Sequence, residues 1–225
     1  MDTTVVAEEP LFAGIDDAEL ADLRAASSTI RLNRGDVLFH QGDIGDTFYI
    51  VASGKMKMGR RATDGRESLI AILGPGEMLG ELTLFDPGPR TATAVAVSEV
   101  ELSVLSHAQL IAEIQAHPRL AIHLLSSLAT RLRRTDEVIG DLVFCDVPGR
   151  VARTILDLTE RFGVKAERGS HVRHELTQEE LAQLVGASRE TVNKALSGFA
   201  GRGWIRLEGK AMTVMDIERL RRRAR

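Results

Sequence analysis

Short apolar runs separated by glycine-containing turns fill residues 30–105, and this pattern restricts the first half of the chain to a β fold. The runs cover residues 37–39, 48–51, 69–73 and 100–105. The turns between them combine glycine with aspartate or proline, and Asp64-Gly65 is typical of a tight hairpin. Strands this short and this closely spaced predict a small all-β roll or barrel. A short helical lead is expected before it, over residues 11–28.

After Pro118 the periodicity changes from that of strands to that of a helix. Apolar side chains, with one hydroxyl among them, recur at alternating spacings of four and three residues: Ala121, Leu125, Leu128, Leu132, Thr135, Ile139 and Leu142. This heptad spacing predicts a long helix that pairs with the same helix of a second copy. The alternative is a helix that packs on its own β domain, which would show a similar apolar face. The two arrangements are compatible, because Leu124 and Val143 widen the apolar face of the helix. The Thr135 hydroxyl can set the register of the pair or contact a ligand.

A further domain is expected after this helix. Asp146 and Pro148 suit the cap and first turn of a new helix that includes residues 150–162, so a hinge is expected at residues 146–149. A polar loop is expected over residues 165–174. The predicted division is therefore a β domain over residues 1–117, a long helix over 118–145 and a last domain over 146–225.

The last domain carries the pattern of a winged helix-turn-helix. Thr177 and Glu180 have the spacing of a capping box that starts a helix. Gly186 ends that helix, and Ser188 can cap a second one. Two short helices around a glycine turn form a helix-turn-helix. Two β runs around Gly209 then predict a hairpin, which would be the wing.

The distribution of charge suggests a polyanionic partner for this domain. Residues 146–225 contain 16 Lys+Arg and 11 Asp+Glu, whereas residues 1–145 contain 13 and 21. A basic segment on an acidic chain favours double-stranded DNA as the partner.

The candidate DNA-binding residues lie at the start of the second helix: Ser188, Arg189, Glu190, Thr191 and Lys194. Arg189 can donate two bonds to a guanine edge, and Glu190 can accept from a cytosine amino group. The alternative is that Glu190 and Lys194 form an ordinary helix ion pair.

Residues 80–91 carry the pattern of a ligand site. Gly80 precedes a very short apolar helix, whose first backbone N–H groups favour an anion. Arg90 can pair with phosphate oxygens, and Thr91 adds a hydroxyl. A carboxylate would repel a phosphate, so Glu81 is expected to face sugar hydroxyls. We therefore predict a pocket for a phosphate ester that carries a ribose, although an ion pair between Arg90 and Glu81 is the structural alternative.

Other classes of function find little support in the sequence. No Ser/His/Asp array, paired catalytic acids or Walker loop is present, so we expect no enzyme activity. Cys145 is the only cysteine, which excludes an internal disulfide framework. His171 and His174 could be imagined as a metal pair, but exposed loop histidines and no metal are expected. No membrane-spanning run or signal region is seen, so a cytoplasmic protein without a membrane partner is expected.

Together these residues resemble the cyclic AMP receptor protein branch of the Crp/Fnr transcription-factor family, and most of all its actinobacterial type. The resemblance is most specific at residues 80–82, 89–91 and 188–192. It implies an α+β fold with an N-terminal β-roll cyclic-nucleotide-binding domain, a long dimerisation helix and a C-terminal winged helix-turn-helix domain. It also implies a homodimer that binds cyclic AMP, DNA and RNA polymerase.

The resemblance implies roles for individual residues of the nucleotide site. Glu81 would hold the ribose 2′-hydroxyl, and Arg131 would reach towards this carboxylate. Arg90 and Thr91 would hold the cyclic phosphate, together with the backbone amides around residues 80–83, which include Gly80, Leu82 and Thr83. Thr135 would meet the adenine amino group, and the next residue, Asp136, would contribute from the partner subunit. The base-reading residues would be Arg189, Glu190 and Lys194.

Two departures from family patterns matter. Asp136 stands where the enterobacterial members carry serine. Its carboxylate can accept a bond from the adenine amino group but would repel a guanine O6, so a preference for cyclic AMP over cyclic GMP is expected. The same carboxylate costs desolvation at a buried interface, so it could weaken binding or alter the coupling between subunits. The N-terminal cysteines of the iron–sulfur branch are missing, which excludes a four-cysteine cluster.

The predicted function is a cyclic AMP-responsive homodimeric transcription regulator that binds palindromic DNA. Two alternatives stay open. One is a regulator of this family whose DNA binding is largely independent of nucleotide. The other is a nucleotide-binding module that acts on a protein partner.

Overall fold

The computed structural model describes residues 26–224, except the side chain of Leu84. The described chain divides into two compact units, one with residues 26–65 and 71–133 and the other with residues 66–70 and 134–224. Most of the predicted helical lead, residues 11–25, lies outside the described residues. The predicted end of that helix is wrong, because Ser28 already begins the first strand.

The β domain has the short antiparallel strands that the turn pattern predicts. They are β1 Ser28–Leu32, β2 Val37–Phe39, β3 Thr47–Ser53, β4 Met56–Arg61, β5 Glu67–Leu73, β6 Met78–Leu79, β7 Thr93–Ala96 and β8 Val100–Ser106. They form two four-stranded sheets with the orders β1-β8-β3-β6 and β2-β7-β4-β5. Val51 and Leu102 of one sheet and Met56 and Ala94 of the other share one buried cluster. The sheets therefore pack face to face, and the predicted β roll is confirmed.

Three helices belong to the same part of the chain. The short helix α1 Glu81–Phe85 lies between β6 and β7, and α2 His107–Ala116 and α3 Arg119–Phe144 follow β8. The apolar residues of the long helix α3 fall into two groups, one buried and one exposed. Leu120 and Leu124 are buried in a cluster with residues of β3 and β8, so the helix does lie on its own β domain. Leu125 and Leu132 of the heptad seam are 65% and 62% exposed. Within residues 26–224, Leu128 of the seam packs against the protomer's own core, whereas Leu125 and Leu132 stay exposed. The pairing of this seam with a second copy stays a prediction.

The C-terminal domain consists of α4 Val147–Phe162, β9 Gly163–Lys165, β10 Ser170–Arg173, α5 Gln178–Val185, α6 Arg189–Gly201, β11 Ile205–Glu208, β12 Ala211–Val214 and α7 Ile217–Arg223. Asp146 caps α4, as its sequence position predicts. Thr177 and Glu180 form the predicted capping box of α5, and Gly186 ends that helix at a φ of 72°. Ser188 caps α6. With the β11–β12 hairpin, the predicted winged helix-turn-helix is confirmed.

The polar loop expected over residues 165–174 is wrong in part. Residues 170–173 form β10, which pairs with both β9 and β12. His174 is only 4% exposed, and its Nδ1 accepts a hydrogen bond of 3.1 Å from the Leu176 amide. The expectation of exposed histidines therefore fails at His174. A four-residue strand with a single apolar residue, Val172, gives too short a pattern to be distinguished from a loop.

Candidate functional site

Gly80 shapes the start of the short helix α1. It has a φ of 82° and provides no side-chain cap, so the first N–H groups of α1 receive no bond from a capping side chain. A Cβ at Gly80 would lie 2.6 Å from the carbonyl oxygen of Thr47. Both the left-handed backbone and the close approach require glycine here. The result is a helix start whose amides lie beside the side chain of Arg90.

Arg90 is a buried cation, 4% exposed, that bonds to neutral oxygens. Its Nη1 donates to the Gly80 carbonyl at 3.0 Å and to Thr83 Oγ1 at 2.8 Å. Its Nη2 donates to the Thr47 carbonyl at 2.7 Å. Its Cζ lies 4.6 Å from the ring centroid of Phe39. A buried charge is normally balanced by an opposite one, so this arrangement favours an additional anionic group.

Glu81 is balanced by a different arginine. It is 2% exposed, and Arg131 of α3 donates to its Oε1 at 2.6 Å. The Arg131 side chain is 34% exposed. The ion pair between Arg90 and Glu81 that we considered as an alternative does not occur, and within residues 26–224 no carboxylate lies at ion-pair distance from Arg90. The structure thus separates a neutralised carboxylate from an unneutralised guanidinium.

These groups line one concave pocket. Seven of the predicted site residues lie on its walls: Gly80, Glu81, Leu82, Thr83, Arg90, Thr91 and Arg131. The pocket therefore combines helix amides, a cation and a carboxylate–arginine pair within one small volume. That combination can hold an anion beside a group rich in hydroxyls.

Two of the predicted site residues, Thr135 and Asp136, are not among the residues that line this pocket. Both lie on α3, and Thr135 follows Arg131 by one turn. Both side chains are exposed in the protomer. Their part in a ligand site remains a prediction.

Some pocket groups were missed by sequence reasoning. Phe39, Met58 and Ala92 complete the lining. The Thr47 carbonyl holds Arg90, and a Cβ at Gly45 would lie only 2.7 Å from Arg90 Nη2. A backbone carbonyl can come from any residue type, so no sequence signal could have revealed Thr47. The aromatic residue ending a β run was the only available clue to Phe39.

The predicted DNA-binding residues lie together at the start of α6. All five, Ser188, Arg189, Glu190, Thr191 and Lys194, are exposed. Ser188 Oγ accepts from the Thr191 amide at 3.3 Å, and the two hydroxyls lie 2.9 Å apart. Among the described residues, Glu190 and Lys194 form no ion pair within 4 Å, so the helix ion-pair alternative is not found. Charged and hydroxyl groups are thus presented together on one helix end.

Three arginines that sequence reasoning passed over organise the residues around Asp146. Arg150 donates through three nitrogens to the carbonyls of Cys145, Val185 and Gly186, each at 3.1 Å. Arg153 pairs with Asp141 of α3 at 2.6 Å.

The third arginine, Arg223, bonds to Asp146 at 2.5 Å. The Arg223 guanidinium, and after it the Gly149 amide, hold the pKa of Asp146 below its ordinary value. The end of α3 is therefore tied to α4, α5 and α7 by charged groups.

Within residues 26–224 no cluster of three or more His, Cys, Asp or Glu could hold a metal ion. The helices of the same residues include none long and apolar enough to cross a membrane.

Comparison with known proteins gives consistent matches. Residues 29–117 match the cyclic nucleotide-binding domain family, and residues 149–223 match the Crp-like helix-turn-helix domain family. The chain is 50% identical over 221 residues to a CRP-like cAMP-activated global transcriptional regulator of Mycobacterium tuberculosis, covering 98% of this chain and 99% of that protein. It is 39% identical over 199 residues to the cyclic AMP receptor protein of Thermus thermophilus, covering 88% of each. Among solved structures, the Thermus thermophilus catabolite activator protein is 36% identical and matches with a TM-score of 0.56, covering 96% of this chain and 98% of that one.

Proposed function

Because this chain belongs to the Crp/Fnr family of transcription regulators, we propose that it is a homodimer whose affinity for palindromic DNA is set by bound cyclic AMP. The proposal concerns the ligand, the assembly and the coupling between them. We propose that cyclic AMP binding and DNA binding both take place in the cytoplasm, where a regulator meets chromosomal promoters. RNA polymerase is the expected further partner, since a transcription regulator acts on that enzyme at promoters.

The observation that carries the proposal is the buried Arg90, which bonds to neutral oxygens beside an already neutralised Glu81. A cyclic phosphate supplies the single negative charge that this cation lacks, and the amides at the start of α1 add donors to its oxygens. Glu81 Oε1 is held by Arg131, and a carboxylate has further lone pairs for a ribose hydroxyl. One pocket thus contains both a cation for the phosphate, Arg90, and a carboxylate for the ribose hydroxyl, Glu81.

The choice of base rests on α3. We propose that Thr135 bonds the adenine amino group and that Asp136 of the partner subunit accepts from it as well. A carboxylate at this position would repel a guanine O6, which favours cyclic AMP over cyclic GMP. The pocket would then be completed by two subunits, so that binding depends on how their α3 helices are arranged.

The dimer is supported by the exposed apolar residues of the α3 seam. Leu125, Leu132, Ile139 and Leu142 are each at least half exposed in the protomer. A row of exposed apolar residues at heptad spacing suits pairing with the same helix of a second copy. In such a dimer two α6 helices would face successive major grooves, about 34 Å apart along the DNA.

Coupling follows if the nucleotide favours one arrangement of the paired helices. A ligand shifts an equilibrium only by its difference in affinity for the two arrangements. Such coupling is typically about 1–3 kcal/mol, or roughly 5- to 150-fold in DNA affinity.

Fluorescence anisotropy with a labelled palindromic operator, with and without cyclic AMP, tests the proposal. We expect tighter DNA binding with cyclic AMP in the wild type, no response in Arg90→Ala, and weak DNA binding throughout in Arg189→Ala. Equal DNA affinity with and without nucleotide would favour the nucleotide-independent regulator. No effect of Arg189→Ala on DNA retention would favour a module that acts on a protein partner.

A further inference from the structure

We propose that the Thr83 hydroxyl is a positioning group for the phosphate-binding arginine, and that it sets the affinity for the cyclic phosphate through Arg90. This inference rests on the proposed nucleotide function, because its effect on affinity requires that Arg90 meet the phosphate. It adds a side-chain role to Thr83, whose expected contribution was a backbone amide.

The first support is a closed set of hydrogen bonds around Thr83. Its Oγ1 donates to the Gly80 carbonyl at 3.2 Å and accepts from Arg90 Nη1 at 2.8 Å. The same Nη1 also donates to the Gly80 carbonyl at 3.0 Å. A hydroxyl has one donor and two acceptor positions. With its proton directed at Gly80, the oxygen of Thr83 presents lone pairs to the guanidinium.

The second support is that only some of the Arg90 N–H groups are used in bonds within the protein. A guanidinium has five N–H groups. Thr83 and Gly80 take the two on Nη1, and Thr47 takes one on Nη2. The Nε N–H and the second Nη2 N–H remain for an anion. Thr83 therefore anchors the part of the guanidinium that would not bind phosphate.

The third support is the way that the guanidinium is enclosed. The Phe39 ring lies 4.6 Å from Cζ, a distance at which a cation and an aromatic face attract. The Thr47 carbonyl holds Nη2. Without the Thr83 hydroxyl, one Nη1 N–H would lose its acceptor in a site that is 4% exposed at Arg90. The guanidinium would gain rotational freedom and would have to be ordered again when phosphate binds.

A purely structural role for Thr83 makes different predictions. Thr83 lies in the five-residue helix α1, and its bond to Gly80 could serve only to stabilise that helix. In that case a substitution would change stability, and its effect on nucleotide affinity would not depend on the residue at position 90.

A double-mutant cycle separates these roles. Titration calorimetry with cyclic AMP would be carried out on the full-length wild type, Thr83→Val, Thr83→Ser, Arg90→Lys and the Arg90→Lys/Thr83→Val protein. We expect Thr83→Val to bind up to about tenfold more weakly, because the freed Arg90 side chain would have to be ordered again on binding, and Thr83→Ser to stay within about twofold of wild type. In the Arg90→Lys background, Thr83→Val should change affinity by less than about twofold. An equal loss in both backgrounds, or no loss beside Arg90, would overturn the proposal.

A second measurement needs no nucleotide. In ¹⁵N spectra of arginine side chains, restricted rotation of the Arg90 guanidinium should be seen in the wild type and in Thr83→Ser but lost in Thr83→Val. Unchanged Arg90 signals in Thr83→Val would overturn the proposal even if Arg90→Lys bound too weakly for the cycle. If the wild type itself bound no cyclic AMP, the proposed function would fail, whereas these spectra would still decide whether Thr83 positions Arg90.

Discussion

Arg131 and Glu81 form a 2.6 Å ion pair although 50 residues separate them in the chain. The carboxylate is 2% exposed and the arginine side chain 34% exposed. The pair joins the long helix to the start of α1, so the group expected to bind ribose is held by the helix that is expected to form the dimer. A ligand hydroxyl at Glu81 would therefore act on a contact that already involves α3.

Glu81→Gln tests the ribose role. The wild type should bind cyclic AMP at least about tenfold more tightly than its 2′-deoxy analogue, because a hydrogen bond to a carboxylate is worth more than one to a neutral group. The variant should bind the two within about threefold of each other. Titration calorimetry gives both ratios, with the exposed Glu137→Gln as the control. A ratio in Glu81→Gln that matches the wild type would exclude a contact between Glu81 and the 2′-hydroxyl.

Arg90→Ala should abolish nucleotide binding and leave the dimer intact, because the guanidinium supplies the charge for the phosphate and not the subunit contacts. Calorimetry measures the first property and sedimentation velocity the second. Arg60→Ala, which removes an exposed arginine of β4, should leave both unchanged. Dissociation of Arg90→Ala into monomers would mean that Arg90 is structural.

Asp136 should make the wild type prefer cyclic AMP to cyclic GMP. Asp136→Ser removes the carboxylate that would repel a guanine O6 and should bring the two affinities closer together. Glu137→Gln, one residue further along α3, serves as the control for a general change in charge. Comparable affinities for both nucleotides in the wild type would contradict this role.

Leu132→Glu should dissociate the dimer. Its side chain is 62% exposed in the protomer, and an exposed carboxylate costs little there, whereas in a paired seam it would be buried without a partner. Sedimentation velocity over a range of concentrations measures the shift. Arg133→Glu on the same helix changes charge at a position outside the predicted seam and should stay dimeric. A Leu132→Glu dimer as tight as wild type would place the interface elsewhere.

The Asp146–Arg223 pair should make a small, pH-dependent contribution to stability. Since the pKa of Asp146 is lowered in the folded protein, this stability is present above the unfolded pKa of about 3.9 and is lost as pH falls through the folded pKa. Arg223→Gln should reduce the free energy of unfolding at pH 7 by less than about 1 kcal/mol, because the Asp146 side chain is 63% exposed.

Urea denaturation of Arg223→Gln and wild type at pH 7 and pH 3 measures this contribution. The difference between the two proteins should shrink at the lower pH. The exposed Arg222→Gln is the matched control and should show no such difference. A gap between Arg223→Gln and wild type that stayed the same size at pH 3 would show that Asp146 is not the group responsible.

The sequence was sufficient to predict the β roll, the long helix and the winged helix-turn-helix, because each depends on periodicity or on turn residues of a particular type. It also pointed to Gly80, whose residue type a left-handed turn requires, and to Arg90, which the structure places on the wall of the same pocket. It could not reveal the Thr47 carbonyl, since the backbone oxygen reaches Arg90 only through the pairing of β3. The strand β10 was missed because its four residues, of which only Val172 is apolar, are too few to show alternation.

The bonds of Arg150 were also beyond sequence reasoning. An arginine four residues after Asp146 looks like any surface arginine of a new helix. Arg150 links distant parts of the domain only because the fold brings the carbonyls of Val185 and Gly186, 35 and 36 residues away, next to its side chain. Such contacts depend on how the helices of the domain pack, not on local pattern.

The three bonds of Arg150 mean that the connection after α3 has little slack. The carbonyl of Cys145, just after α3, and the turn between α5 and α6 are fastened to one planar side chain. In contrast to the hinge that the sequence predicted at residues 146–149, we expect this connection to be stiff, so that a twist at the end of α3 is transmitted to α6.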